Sequence, residues 1–69
     1  MRKDSELMRQ RFRTLLAEKE VTLEELSKRT GLAVSSLSAI RTGRRSPTVR
    51  TLEKIAGALG VRVRDFFEG

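Results

Sequence analysis

Residues 40–50, IRTGRRSPTVR, combine four arginines with no acidic residue. A guanidinium group is always charged and presents a rigid fork of donors, which suits it to phosphate oxygens and guanine edges. The acid-free interval extends from Glu25 to Glu53 and also contains Lys28 and Arg29. This distribution predicts a positively charged surface that faces a polyanion. The four arginines are Arg41, Arg44, Arg45 and Arg50.

Enzyme chemistry finds little support in the residue types. The chain has no histidine and no cysteine, so the commonest general base and the commonest metal ligands are missing. Ser35, Ser36 and Ser38 form a cluster, but no histidine can activate them. The acids are dispersed without the spacing of metal ligands. We therefore expect no enzyme activity, no metal site and no cofactor.

Length and charge indicate one small domain over residues 1–69, with a formal net charge of +6. A chain this short is near the lower limit for folding without disulfides or metals, so tight helix packing or dimerisation must supply stability. No apolar run approaches the roughly 18 residues of a membrane span, and the N-terminal MRKDSE leads into no secretory core. We expect a soluble, cytoplasmic protein with no membrane partner.

The apolar periodicity predicts helices throughout and no strand. Asp4 or Ser5 is positioned to cap a first helix with an apolar stripe at Met8, Phe12, Leu15 and Leu16. Thr22 is positioned to cap a second helix, which ends where Gly31 can adopt a left-handed conformation.

The second half of the chain continues this pattern. A third helix is predicted from about Ala33 to Arg41, ending before Gly43. A fourth helix starts at residues 46–48, Ser-Pro-Thr, and ends at Gly60. A last short turn carries Val61, Val63, Phe66 and Phe67.

The tight connection between the second and third helices is the most informative spacing. Only residues 30–32, Thr-Gly-Leu, join them, so the two helices must cross steeply. Ser27 is small where the helices approach, and Leu32 can fill the corner. Residues 22–42 therefore predict a helix-turn-helix motif whose second helix is exposed to enter the DNA major groove.

The stretch TLEELSKRTGLAVSSLSAIRTGRRSPTVRTLEKIAGALGVRVRDFF resembles the helix-turn-helix domain of the Cro and phage-repressor (XRE-like) type. The resemblance covers nearly the whole chain, and the first helix matches only in pattern. It implies an all-α, five-helix, lambda-repressor-like domain that binds DNA. The matching residues are Thr22, Leu26, Gly31, Gly43, Pro47, Leu52, Ile55, Ala56, Ala58, Leu59, Gly60 and Val61.

Three positions depart from the family pattern. Leu23 replaces a glutamine that usually touches DNA, so we expect Leu23 to pack instead. Leu16 and Arg41 stand where the family often pairs an arginine with a glutamate. Losing both partners avoids a partly buried, unpaired charge, and it frees Arg41 to point at a phosphate or a base.

The resemblance implies that Val34, Ser35, Ser38 and Ala39 face base edges. We expect Arg41 to read bases with them, because it continues the row of Val34 and Ser38 at helical spacing. The four small side chains cannot make the bidentate contacts of arginine, asparagine or glutamine. Val34 and Ala39 can contact thymine methyl groups, and each serine can form one hydrogen bond. Alternatively, Val34 and Ala39 serve only helix packing. DNA shape can carry part of the specificity.

The basic residues after the third helix are predicted to bind phosphates, because the chain there rises out of the groove toward the DNA backbone. The N-terminus of the fourth helix adds N–H donors and a favourable dipole. A merely solvated basic loop is the alternative, and Lys28 could instead interact with its own helix dipole. The predicted phosphate-binding residues are Lys28, Thr42, Arg44, Arg45, Thr48 and Arg50.

The function implied is a transcriptional regulator that binds operator DNA as a homodimer and is thereby associated with the nucleoid. The alternative is an antitoxin or similar interaction module that masks a partner protein such as a toxin, with DNA binding secondary. We expect Val63 and Phe66 at the dimer interface, because family position favours Phe67 for the core. Alternatively, both rings serve the monomer core.

Overall fold

The computed structural model describes the backbone of residues 2–67 and the side chains of residues 6–67. Within that part of the chain, there are four α-helices, one 3₁₀ helix and no strand, which confirms the all-α class. The predicted fifth helix is a single 3₁₀ turn. The elements are α1 (Arg2–Lys19), α2 (Leu23–Thr30), α3 (Val34–Thr42), α4 (Val49–Leu59) and the 3₁₀ helix (Val63–Phe66).

Helix α1 differs from the sequence prediction at its start. It begins at Arg2, so the cap predicted at Asp4 or Ser5 is wrong. Acidic residues are favourable throughout the first turn of a helix as well as at its cap, so Asp4 does not mark the boundary. At the other end, Glu20 has a φ of 55°, and the N–H of Val21 donates to the carbonyl of Leu16 at 3.0 Å. A left-handed residue of this kind closes a helix.

Helix α2 has the caps that the sequence predicts. The Thr22 hydroxyl accepts from the Glu25 N–H at 3.1 Å, and the Glu25 carboxylate accepts from the Thr22 N–H at 3.1 Å. This reciprocal pair is a capping box. Gly31 ends the helix with a φ of 79°.

Helices α3 and α4 also end as predicted, within one residue. Helix α3 starts after Ala33, which makes no side-chain capping bond, and ends at Gly43. Helix α4 starts after Thr48, whose hydroxyl accepts from the Thr51 N–H at 3.1 Å, and ends at Gly60.

One hydrophobic core joins all five elements. Phe12 of α1 and Phe66 of the 3₁₀ helix are fully buried, with ring centroids 6.2 Å apart. Helix α2 packs against α3 and α4, and α1 packs against α3, α4 and the 3₁₀ helix. The buried residues are Met8, Phe12, Leu15, Leu16, Leu26, Leu37, Ile40, Leu52, Ile55, Ala56, Leu59 and Phe66.

The two C-terminal phenylalanines have the opposite environments to those expected. Phe66 is fully buried and Phe67 is 47% exposed, so the expectation that Phe66 lies at a dimer surface is wrong. A 3₁₀ helix has three residues per turn, which places Val63 and Phe66 on the same side, toward the core. Val63 is accordingly half-buried against the core. Phe67 comes after the end of the 3₁₀ helix, and its side chain does not share the side occupied by Val63 and Phe66.

Neither a membrane span nor a metal cluster is found in the described part of the chain. None of its helices combines the length and apolar character needed to cross a membrane. No three or more of the described aspartate and glutamate residues form a group that could hold a metal ion.

Candidate nucleic-acid interface

The turn between α2 and α3 is held by a short network of hydrogen bonds. The Ser27 hydroxyl donates to the carbonyl of Leu32 at 2.5 Å. The Thr30 hydroxyl donates to the carbonyl of Leu26 at 2.7 Å and accepts from the Leu32 N–H at 3.2 Å. Gly31 supplies the left-handed residue that the reversal needs. These bonds fix the direction in which α3 leaves α2.

Helix α3 has one buried and one accessible face. Leu37 and Ile40 point into the core, whereas Val34 and Ser35 are exposed at the start of the helix. Ser38 and Ala39, one turn further on, are half-buried. Val34 is 40% exposed, so it is not a core residue. The structure thus brings these four predicted base-reading residues to the accessible side of a helix whose other side is anchored, and the fifth, Arg41, is exposed near the end of the same helix.

The segment after α3 folds back along the helix. Gly43 has a φ of 85°, and the N–H groups of Arg44 and Arg45 both donate to the carbonyl of Ala39, at 2.8 and 3.1 Å. The Arg45 guanidinium donates to the Ser36 hydroxyl at 3.2 Å. Arg44 and Arg45 are exposed. The turn therefore places two positive charges next to α3, one of them bonded to its first turn.

Three of the predicted phosphate ligands, Arg45 among them, already have side-chain hydrogen-bond partners within the chain. The Thr48 hydroxyl caps α4 and also donates to the Thr51 hydroxyl at 3.0 Å. The Thr42 hydroxyl donates to the carbonyl of Ala39 at 3.2 Å. Lys28 in the last turn of α2 and Arg50 in the first turn of α4 are exposed. Lys28, Arg44 and Arg50 form no side-chain hydrogen bond with the described residues, so they are freer to meet a phosphate than Arg45 and the two threonines.

The three departures from the family pattern have distinct surroundings. Leu23 is partly buried and packs against the core, as expected. Leu16 is buried, and Arg41 is exposed. The substituted pair therefore consists of one apolar core residue and one accessible cation.

Helix α1 contributes to this surface in a way that the sequence prediction missed. The Arg9 guanidinium donates to the carbonyl of Thr42, at the end of α3, at 3.2 Å. The same side chain covers Gly43 closely: a Cβ built on Gly43 would lie 3.2 Å from the Arg9 Cδ. The four-residue spacing of Arg9 and Arg13 places both on one face of α1. This spacing in the sequence could have indicated a basic face on α1. Both residues, however, lie outside the acid-free interval on which the prediction of a positive surface was based.

A helix-turn-helix family model matches residues 12–66 of the chain, which include the motif and most of the core. The chain belongs to the XRE-type helix-turn-helix family. This result confirms the resemblance found in the sequence and the lambda-repressor-like fold. Members of the family are DNA-binding transcription regulators and not enzymes, in agreement with the sequence prediction.

Three relatives carry regulator or repressor names. An uncharacterized HTH-type transcriptional regulator of Sinorhizobium fredii is 48% identical over 50 residues, covering 72% of this chain and 65% of the relative. An immunity repressor protein of Bacillus phage phi105 is 37% identical over 54 residues, covering 78% of this chain and 38% of the relative.

An HTH-type transcriptional regulator of Deinococcus deserti is 32% identical over 60 residues, covering 87% of this chain and 46% of the relative. The aligned part thus spans between 38% and 65% of the length of these three relatives. No solved structure matches the chain.

Proposed function

We propose that this chain binds operator DNA in a sequence-specific manner, with α3 in the major groove, and regulates transcription. One observation carries the proposal: α3 is anchored by Leu37 and Ile40, and its accessible face is followed directly by exposed arginines. A helix presented in this way fits the major groove, and adjacent cations neutralise the flanking phosphates. The protein then acts on the nucleoid, in the cytoplasm.

Base reading is assigned to Val34, Ser35, Ser38 and Ala39. Val34 and Ser35 are the most accessible of the four and lie in the first turn of α3, the part of a recognition helix that meets base edges. A valine or alanine methyl group suits the thymine methyl, and a serine hydroxyl can donate or accept one bond. Since none of these side chains makes a bidentate contact, sequence-dependent DNA shape supplies part of the specificity.

Phosphate binding is assigned first to Arg44, Arg45 and Arg50, with Lys28 as an additional cation. Thr42 and Thr48 contribute less through their hydroxyls, which bond within the chain. The backbone N–H groups at the start of α4 remain a favourable partner for a phosphate.

Operator binding by a dimer follows from the small footprint of one recognition helix, which covers too few base pairs to select a site in a genome. Two-fold-related recognition helices about 34–36 Å apart double the contact. With Phe66 in the core, the exposed ring of Phe67 is the apolar group that a partner copy would cover, next to half-buried Val63.

Masking of a toxin is not favoured by the apolar surface. The exposed large apolar side chains of the described residues are Val34, Val49 and Phe67, which belong to three different parts of the fold. Isolated side chains of this kind are ordinary on protein surfaces and give no positive indication of a foreign partner.

The experiment that tests the proposal measures binding to random-sequence duplex DNA as a function of salt concentration. Replacing Arg44 and Arg45 with alanine should lower the salt slope by about 0.9 for each phosphate that is no longer neutralised, and it should weaken binding to all sequences similarly. Lys19→Ala, which removes an exposed cation at the end of α1, is the control and should leave the slope unchanged. An unchanged slope in the double variant would contradict the assignment of Arg44 and Arg45.

A further inference from the structure

A second group of arginines lies outside the turn that follows α3. An open groove where α1, α2 and α3 meet is lined by Arg9, Arg13 and Arg41. The groove floor includes Leu16 and Leu23, the two residues that replace polar residues of the family pattern. The three cations therefore come together around an apolar floor beside the end of the recognition helix.

The three arginines differ in how they are held. Arg9 is half-buried and fixed by its bond to the Thr42 carbonyl. Arg13 and Arg41 are exposed, and their guanidinium groups donate no hydrogen bond to another residue that the structure describes. Two accessible guanidinium groups next to a third, fixed one form a concentrated positive potential with donors still to be satisfied.

The groove also has an acidic end. Glu20 and Glu24 line it where α1 meets α2. Arg13 on α1 and Glu20, the residue that follows its end, are seven residues apart, which is about 10 Å along the helix axis. The arginine end next to α3 thus attracts an anion, whereas the negative charges of Glu20 and Glu24 repel an anion from the other end. One phosphate at the arginine end fits this arrangement, whereas a row of phosphates along the whole groove would also meet the glutamates.

From this geometry we infer that Arg13 and Arg41 bind a DNA backbone phosphate at the arginine end of the groove, supported by Arg9. The inference rests on the proposed function. The major groove is about 12 Å wide and is bounded by two phosphate strands, so a helix inside it is held best from both sides. The groove arginines would thus add a backbone contact to those proposed for Arg44, Arg45 and Arg50.

The position of Arg41 in α3 decides between a base and a phosphate. It lies seven residues after Val34, about 10 Å further along the helix. The N-terminal residues of a recognition helix meet the bases. Arg41 lies near the opposite end of α3 and lines the groove together with Arg9 and Arg13 of α1. This position favours a contact with the DNA backbone, so the loss of Arg41 should not change the preferred DNA sequence.

The test compares the double variants Arg13→Ala/Arg41→Ala and Arg13→Lys/Arg41→Lys with Lys19→Ala as the control. On random-sequence duplex DNA, the alanine pair should lower the salt slope by about 0.9 for each phosphate that is no longer neutralised. The lysine pair should keep most of the slope, because it keeps both charges. In a randomised-site selection, Arg41→Ala should recover the same preferred sequence as wild type.

A salt slope equal to that of wild type in the alanine pair would overturn the inference, as would a changed sequence preference for Arg41→Ala, which would assign Arg41 to a base. The Arg44→Ala/Arg45→Ala variant separates this failure from a failure of the proposed function. If wild type binds duplex DNA and that variant has a lower slope, only the groove assignment is wrong. If wild type does not bind duplex DNA, the proposed function itself is wrong.

Discussion

Val34 and Ser38 show how little chemistry each residue proposed to face the bases can contribute. One is a branched alkyl group and the other a single hydroxyl, so neither can identify a base pair by two hydrogen bonds. Specificity must then be divided among several weak contacts and the shape of the DNA. The accessible face of α3 is consistent with such a surface because its side chains are small enough to allow close approach.

Replacing Val34 or Ser38 with alanine should therefore change the preferred sequence at one or two positions while leaving the fold intact. Each change in preference should correspond to about 1–3 kcal/mol or less of binding free energy, the usual cost of one mismatched base pair. A randomised-site selection with each variant measures the preference, and thermal unfolding checks the fold. The same preferred site for both variants and wild type would move recognition away from this face of α3.

Phe66 and Phe67 are adjacent in the chain but differ in what they stabilise. Phe66 is fully buried against Phe12, so Phe66→Ala should lower the free energy of unfolding by about 3–5 kcal/mol. Phe67 is 47% exposed, so Phe67→Ala should change it by less than about 1 kcal/mol at protein concentrations where the chain is monomeric. Urea unfolding measures both, and equal losses of stability in the two variants would contradict the burial assigned to the rings.

At the scale of elements, the boundaries that depend on local chemistry could be predicted from the sequence. The Thr22 cap and the left-handed glycine at residue 31 need only neighbouring residues, and the structure confirms both. The start of α1 was not predictable in this way, because favourable acidic residues occur both at its start and further inside.

Features that depend on distant contacts could not be predicted. The bond from Arg9 to Thr42 joins residues 33 positions apart. The orientation of Phe66 depends on the last turn being a 3₁₀ helix, which rotates the two rings differently from an α-helix. The arginine groove is likewise assembled from three helices, so no single stretch of sequence contains it.

Substituting alanine for Gly31 and for Gly57 separates the effect of backbone conformation from the effect of steric clash. A Cβ at either residue would meet no atom within 4 Å, but Gly31 has a φ of 79° whereas Gly57 lies inside α4. Gly57→Ala should stabilise the protein by about 0.5–1 kcal/mol, because glycine is unfavourable in a helix. Gly31→Ala should destabilise it by about 1–2 kcal/mol, because the left-handed conformation strains an alanine.

Chemical denaturation of the two glycine variants beside wild type provides the measurement. If both variants changed the free energy of unfolding in the same direction, the turn between α2 and α3 would not require a left-handed residue.

At the scale of the whole molecule, the positive charge is concentrated rather than spread. The interval between Glu25 and Glu53 holds six basic residues and no acid, and the remaining nine basic residues are balanced by nine acidic ones. A net charge of +6 alone would suit many polyanions. The concentration of this charge in α2, α3 and the segment up to the start of α4, together with the family shown by residues 12–66, favours duplex DNA.

The most direct measurement selects fragments of the source genome with the purified protein and sequences those retained. We expect enrichment of a few fragments that share two related half-sites, with centres about 10 base pairs apart, as a two-fold dimer on one face of the duplex requires. The Arg44→Ala/Arg45→Ala variant should retain the same fragments less efficiently. Retained fragments with no shared sequence, or no retention of duplex DNA at all, would contradict sequence-specific binding through α3.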